Sequence, residues 1–267
     1  MTRLAIGIEY DGASFDGWQS QPGGRTVQDV VEAAVERIAG QHSRVNAAGR
    51  TDSGVHAVNQ VAHFEINVKR PLTAWVRGVN SFLPAGVAVT WAKEVDPRFH
   101  ARRCARLRTY RYVLLNHPVR PAFFQGHTGW YHVPVDVGLM REAADYLNGQ
   151  HDFSAFRAAG CQARSPVRSL TRIRIGRQGD YVLFEMSADA FLYHMVRNII
   201  GCLVYVGDSR RKPEWIRDVL ESRSRKNAAP TIEASGLYLY DVEYDGIWDI
   251  PAAKQRFPFG WDNGIWK

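Results

Sequence analysis

Residues 26–40 read TVQDVVEAAVERIAG, and their reading decides how the first half of the chain is built. Val27, Val30, Val31, Ala34, Val35 and Ile38 recur at the three- and four-residue spacing of one helical face. Thr26 stands where an N-cap belongs, Asp29 follows three places on as in a capping box, and Gly40 supplies a stop. The spacing predicts a helix of about 13 residues. Upstream, LAIGIEYDG (4–12) alternates Leu4, Ile6 and Ile8 and leaves into an Asp-Gly turn, which reads as a strand. Downstream, VNAA and VNQVAHFEI alternate as strands on either side of residues 49–56, GRTDSGVH. A helix over Leu72–Phe82 and a strand at 86–95, GVAVTWAKEV, complete the order β, α, β, β, α, β.

The same order recurs. TYRYVLLN (109–116) reads as a strand, VGLMREAADYLNG (137–149) as a helix, and SLTRIRIGRQGDYVLFEMSA (169–188) as a hairpin turning at Arg-Gln-Gly-Asp. FLYHMVRNIIGCLVYVG (191–207) and PEWIRDVLE (213–221) read as helices, and GLYLYDVEY (236–244) as a closing strand. The expected fold is therefore α+β, with two similar α/β domains of mainly antiparallel sheets and helices packed on one face. The boundary falls near residues 100–108. An N-terminal domain is expected over 1–105, a C-terminal domain over 106–245, and an extension with three tryptophans over 246–267.

Composition narrows the partners. The chain has 267 residues, 45% hydrophobic and 23% charged, as expected of a folded domain rather than a disordered chain. Net charge is +7 and arginine dominates it, the lysines being Lys69, Lys93, Lys212, Lys226, Lys254 and Lys267 alone. Arginine binds phosphate bidentately and stacks on bases, which suits nucleic acid. Cys104, Cys161 and Cys202 form no CxxC, so neither a disulfide framework nor a zinc knuckle is indicated, and a reducing cytoplasm fits. No segment approaches the roughly 20 apolar residues of a membrane span. Histidine spacing makes no metal motif, and GxGxxG and GxxxxGK[ST] are absent, so no cofactor is expected.

Chemistry concentrates in a few places. Arg98, Arg102, Arg103, Arg106, Arg108 and Arg111 crowd the domain junction with Phe99, His100 and Tyr110 among them. Arg164 and Arg168 lie in a small-residue loop at 156–170. Basic side chains alternating with aromatics suit a surface that follows an RNA or DNA backbone and stacks bases. In GRTDSGVH, Arg50 and Asp52 share one face of an extended segment, and flanking glycines let the backbone bend or be approached closely. A turn of this composition is most often only a turn. Its alternative is a carboxylate kept ionised by fixed positive charge and serving as nucleophile or base. Arg197 sits at the edge of the apolar face of its helix, either reaching to water or pairing with a carboxylate.

Together, GRTDSGVH followed by QVAHFE, FHAR (99–102), YRYVLLN and FLYHMVRNIIG resemble the TruA-type tRNA pseudouridine synthase family, in the family's order over residues 3–244. The resemblance implies the pseudouridine synthase fold with an active-site cleft between two domains. It implies isomerisation of uridine to pseudouridine at positions 38, 39 and 40 of the tRNA anticodon stem-loop, by a cofactor-free cytoplasmic homodimer. It places Asp52 at the catalytic aspartate, Tyr110 at the aromatic that stacks on the target base, and Arg197 at the aspartate's basic partner. Arg50 matches the residue that helps evict the base, while FHARR, with Phe99, His100, Arg102 and Arg103, and GCQAR, with Arg164, resemble segments that touch tRNA. Two other readings of the residues stay open: a non-catalytic RNA-binding module, and a metal-dependent phosphoryl-transfer enzyme, for which Asp52 lacks a neighbouring DxD or ExD partner.

Overall fold

The computed structural model describes residues 1–252 and 263–266. The chain divides into two compact units. The first comprises Met1–Arg108 together with the chain from Tyr238 to residue 252, and the second Thr109–Leu237 together with residues 263–266. The extension read at 246–267 lies outside the described residues from 253 to 262 and at 267.

In the first unit β1 (Thr2–Tyr10) is central, with β4 (Val87–Val95) on one side and β3 (His56–Ile66) on the other, both antiparallel. The short β2 (Asn46–Ala47) also pairs with β3. β10 (Leu237–Tyr244) then adds to β3 in parallel, Tyr238 opposite His56 and Leu239 opposite Ala57. The helix expected from residues 26–40 is α1 (Val27–Ala39). The Thr26 hydroxyl accepts from the Asp29 amide, and Gly40 takes φ 68° beyond the last turn, a conformation most residues avoid. Val31 and Val35 on its inner face are fully buried, each worth about 1.5–3 kcal/mol relative to exposure. Residues 72–82, read as a plain helix, contain a π-helical turn at Ala74–Gly78, where the buried Trp75 meets Phe64 edge-on.

In the second unit the strands run β5 (Ala105–Asn116), β9 (Tyr181–Ala188), β8 (Val167–Gln178) and β7 (Gly149–Asp152), with β6 (Gly129–Tyr131) parallel to β5. The β8–β9 hairpin turns where expected, Gln178 facing Tyr181 and Gly179 at φ 57°. The α-helices described in this unit are α2 (Val137–Asp145), between β6 and β7, and α3 (Met195–Gly207) and α4 (Trp215–Ser222), after β9.

Two helix boundaries differ from the sequence reading. The helix read over 137–149 ends at Asp145, because Leu147 turns into the core and Gly149 adopts φ 99° to begin β7. The helix read over 191–207 begins only at Met195, because His194 is left-handed at φ 59°. α3 is covered on the side that bears Asn198 and Gly201 as well. Both are buried, and a Cβ on Gly201 would stand 2.3 Å from the Pro230 carbonyl oxygen, so the segment near 230 packs directly on that face. Among the described residues, no helix is long and apolar enough to cross a membrane.

Candidate functional site

In the first unit the GRTDSGVH segment lies between β2 and β3 as a loop held along its length. The Gly49 amide donates to Gln60 Oε1 (3.2 Å), and Gln60 Nε2 donates back to the Gly49 carbonyl (2.8 Å). Buried Thr51 places its hydroxyl 2.7 Å from that of Tyr10, and its carbonyl accepts from the Trp18 amide at 3.0 Å. The Asp52 carbonyl accepts from the Val55 amide (3.1 Å), and Ser53 Oγ donates to the Phe15 carbonyl (3.2 Å). Gly54 turns the chain at φ 77°. Gly17, at φ 89°, lets a neighbouring loop press on the segment, since a Cβ there would lie 2.7 Å from the Thr51 oxygen. The outcome is a fixed backbone from which half-buried Asp52 and exposed Arg50 project.

Arg50 belongs to a basic patch. Partial burial, then the charges of Arg102 and Arg44, hold its guanidinium below the ordinary value. Arg102 and Arg103 are exposed, and their amides both reach Nδ1 of half-buried His100 (3.2 and 3.4 Å). Phe99, read as touching RNA, instead lies fully buried against His63, Tyr244 and Trp248, so its ring anchors the segment and does not face a ligand. Arg108 is likewise structural. It is buried and donates to the carbonyls of Ala48 (3.2 Å), Ala105 (3.1 Å) and Arg102 (2.6 Å), tying the basic segment to the start of the Asp52 loop.

The same segment hangs on a histidine. The Ala101 amide donates to His63 Nδ1 (3.2 Å), which requires that nitrogen unprotonated. Burial, then the nearby charges of His100 and Arg3, push His63 down to about 4. A depressed histidine favours folding when neutral, so its contribution is complete above the unfolded value near 6.5 and is lost as pH falls toward about 4. Thermal midpoints between pH 7 and 4 are therefore expected to fall more steeply in the wild type than in His63→Gln. Parallel curves would remove this role.

In the second unit Tyr110 lies on β5, almost fully buried, with the edge of Phe191 5.1 Å away at 86°. Arg197 is half-buried in the first turn of α3, and its Nε donates to the Ile232 carbonyl at 2.9 Å. The segment bearing Ile232 is itself pinned. Asn198 is fully buried, its amide donates to the Phe156 carbonyl (2.8 Å), and its Oδ1 accepts from Thr231 Oγ1 (2.6 Å) and Arg225 Nη2 (3.1 Å). In the 156–170 loop Arg164 is exposed, whereas Arg168 is half-buried and donates to the Ser165 carbonyl at 2.9 Å. The supporting roles of Tyr10, Gln60, Arg108 and Asn198 escaped the sequence reading, in which Arg108 figured only as one of the junction arginines.

A family model described as tRNA pseudouridine synthase matches residues 6–102 and 143–245. The chain is 59% identical over 259 residues to tRNA pseudouridine synthase A of Thiobacillus denitrificans, covering 97% of this chain and 100% of that one. It is 54% identical over 258 residues to the protein of the same name from Methylobacillus flagellatus, covering 97% and 99%. The first matched region contains GRTDSGVH and FHAR and the second the start of α3, while YRYVLLN, with Tyr110, lies between them. The chain thus belongs to the tRNA pseudouridine synthase family, enzymes that isomerise uridine to pseudouridine in tRNA.

Proposed function

We propose that this enzyme acts on uridines 38, 39 and 40 of the anticodon stem-loop, that Asp52 is its catalytic carboxylate, and that Tyr110 and Arg197 complete the site. The observation that carries the reading is the Asp52 loop, whose backbone is bonded on both sides of the aspartate. Isomerisation cleaves the N1–C1′ bond, turns the uracil and joins C5 to C1′, with no net redox change. A carboxylate serves this by adding to the base or by capturing the sugar carbon. Stacking hides those atoms, so the uridine is flipped out at a cost of a few kcal/mol. Arg50 fills the vacated space, Tyr110 stacks on the flipped uracil, and Arg197 keeps the aspartate charged. Exposed Arg102, Arg103 and Arg164, with His100 and Arg168 beside them, hold phosphates. The working form is a cytoplasmic homodimer.

Mapping pseudouridine in unmodified tRNA after incubation with the purified protein tests the substrate. Modification confined to positions 38–40 is expected. A modified base outside the anticodon arm would keep the reaction and refute the stated target.

A further inference from the structure

The loop that carries Asp52 is fastened most tightly at the residue just before it. Thr51 is buried and held at two points, its hydroxyl by Tyr10 and its carbonyl by the Trp18 amide. Tyr10 is equally buried, and on the neighbouring strand Gln60 clamps Gly49 in both directions. Burial pushes the Tyr10 phenol above its ordinary value, so it stays protonated. The loop is thus fixed at residue 49 by Gln60 and at residue 51 by Tyr10, in both places through uncharged hydrogen bonds. The position of Tyr10 is set by the last pairing of β1, Tyr10 opposite Ala57, just past an irregularity in the β1–β3 register.

We infer that Tyr10 and Thr51 are positioning residues for the isomerisation, acting as a hydroxyl–hydroxyl latch that fixes the backbone from which Asp52 reaches the target nucleoside. The inference rests on the reading of Asp52 as the catalytic carboxylate. Neither hydroxyl touches RNA in this account; both act through the main chain of residue 51. Removing either oxygen frees that chain to shift by a fraction of an ångström to an ångström, and misplacement of that size costs about a hundredfold in rate.

The test is single-turnover tritium release from C5-labelled uridine in tRNA, with tRNA Kd and thermal midpoint measured on the same preparations. Tyr10→Phe and Thr51→Val are each expected to slow release about 10- to 100-fold with Kd within about twofold. The double variant is expected to be no slower than the worse single one, because both substitutions break the same bond. Thr51→Ser, which keeps the hydroxyl, is expected to stay near wild type. If Tyr10→Phe does not fold, Thr51→Val against Thr51→Ser carries the comparison. Wild-type release from a folded variant, a lowered midpoint with unchanged rate, or losses that multiply in the double variant would each overturn the latch. Asp52→Ala run in parallel separates the two ideas: an active Asp52→Ala sinks the catalytic reading, whereas an inactive one beside a fully active Tyr10→Phe sinks only the latch.

Discussion

Asp52→Ala is expected to lower tritium release from C5-labelled uridine in tRNA by at least about a thousandfold, the scale on which removal of a reacting group is felt. Binding of tRNA is expected to stay within about twofold of wild type. The loop should survive the change, because bonds through the Asp52 carbonyl and the groups of Gly49, Thr51 and Ser53 remain after the substitution. A variant that binds but does not react identifies the carboxylate with the chemistry. Release near the wild-type rate would return GRTDSGVH to being a turn on an RNA-binding surface.

Arg197 carries the second large effect. Its guanidinium is held at one edge by the bond from Nε to the Ile232 carbonyl, and in the proposed role the other edge of the fork serves the carboxylate. Lysine keeps the charge but has no fork to be held at one edge while donating at the other. Arg197→Lys is therefore expected to lose about a hundredfold in single-turnover rate, and Arg197→Ala more. Equal rates for Arg197→Lys and wild type would reduce the role to a point charge, and equal rates for all three would remove Arg197 from the site. Thermal midpoints read beside the rates keep the loss of the Ile232 bond from being mistaken for lost chemistry.

The parts of the fold legible in the sequence are those set by neighbours along the chain. Thr26 with Asp29 marks the start of α1 and Gly40 its end, each from the residues beside it, and the β8–β9 hairpin is set by its own turn at Gly179. What escaped reading depends on groups far away. Asn198 looks like a solvent-facing polar residue until Thr231 and Arg225 are seen to bond it. His194 looks helical until the chain is seen to enter α3 through a left-handed residue. Phe99 looks like a stacking platform in a run of arginines, yet its partners Tyr244 and Trp248 lie near the far end of the sequence. In the candidate site the residues that project were legible by type and spacing. The residues that hold them still were not, because Tyr10 and Gln60 are unremarkable strand positions until their contacts are known.

The parallel pairing of β10 with β3 bears on how the protein is made. Asn59 Nδ2 donates to Asp241 Oδ1 across 182 residues of sequence, and Tyr238 stacks on His56 at 4.6 Å. The first unit therefore begins the chain but cannot be finished until nearly all of it has been synthesised. The strands of the second unit, β5 to β9, lie between Ala105 and Ala188 and are all available sooner, although residues 263–266 join that unit last. At about 5–20 residues per second, translation leaves the β3 edge waiting roughly ten to forty seconds for its last strand. Until β10 arrives, that edge is an open template for other nascent chains, so a ribosome stalled between β9 and β10 should yield an aggregation-prone product although most of the protein is present.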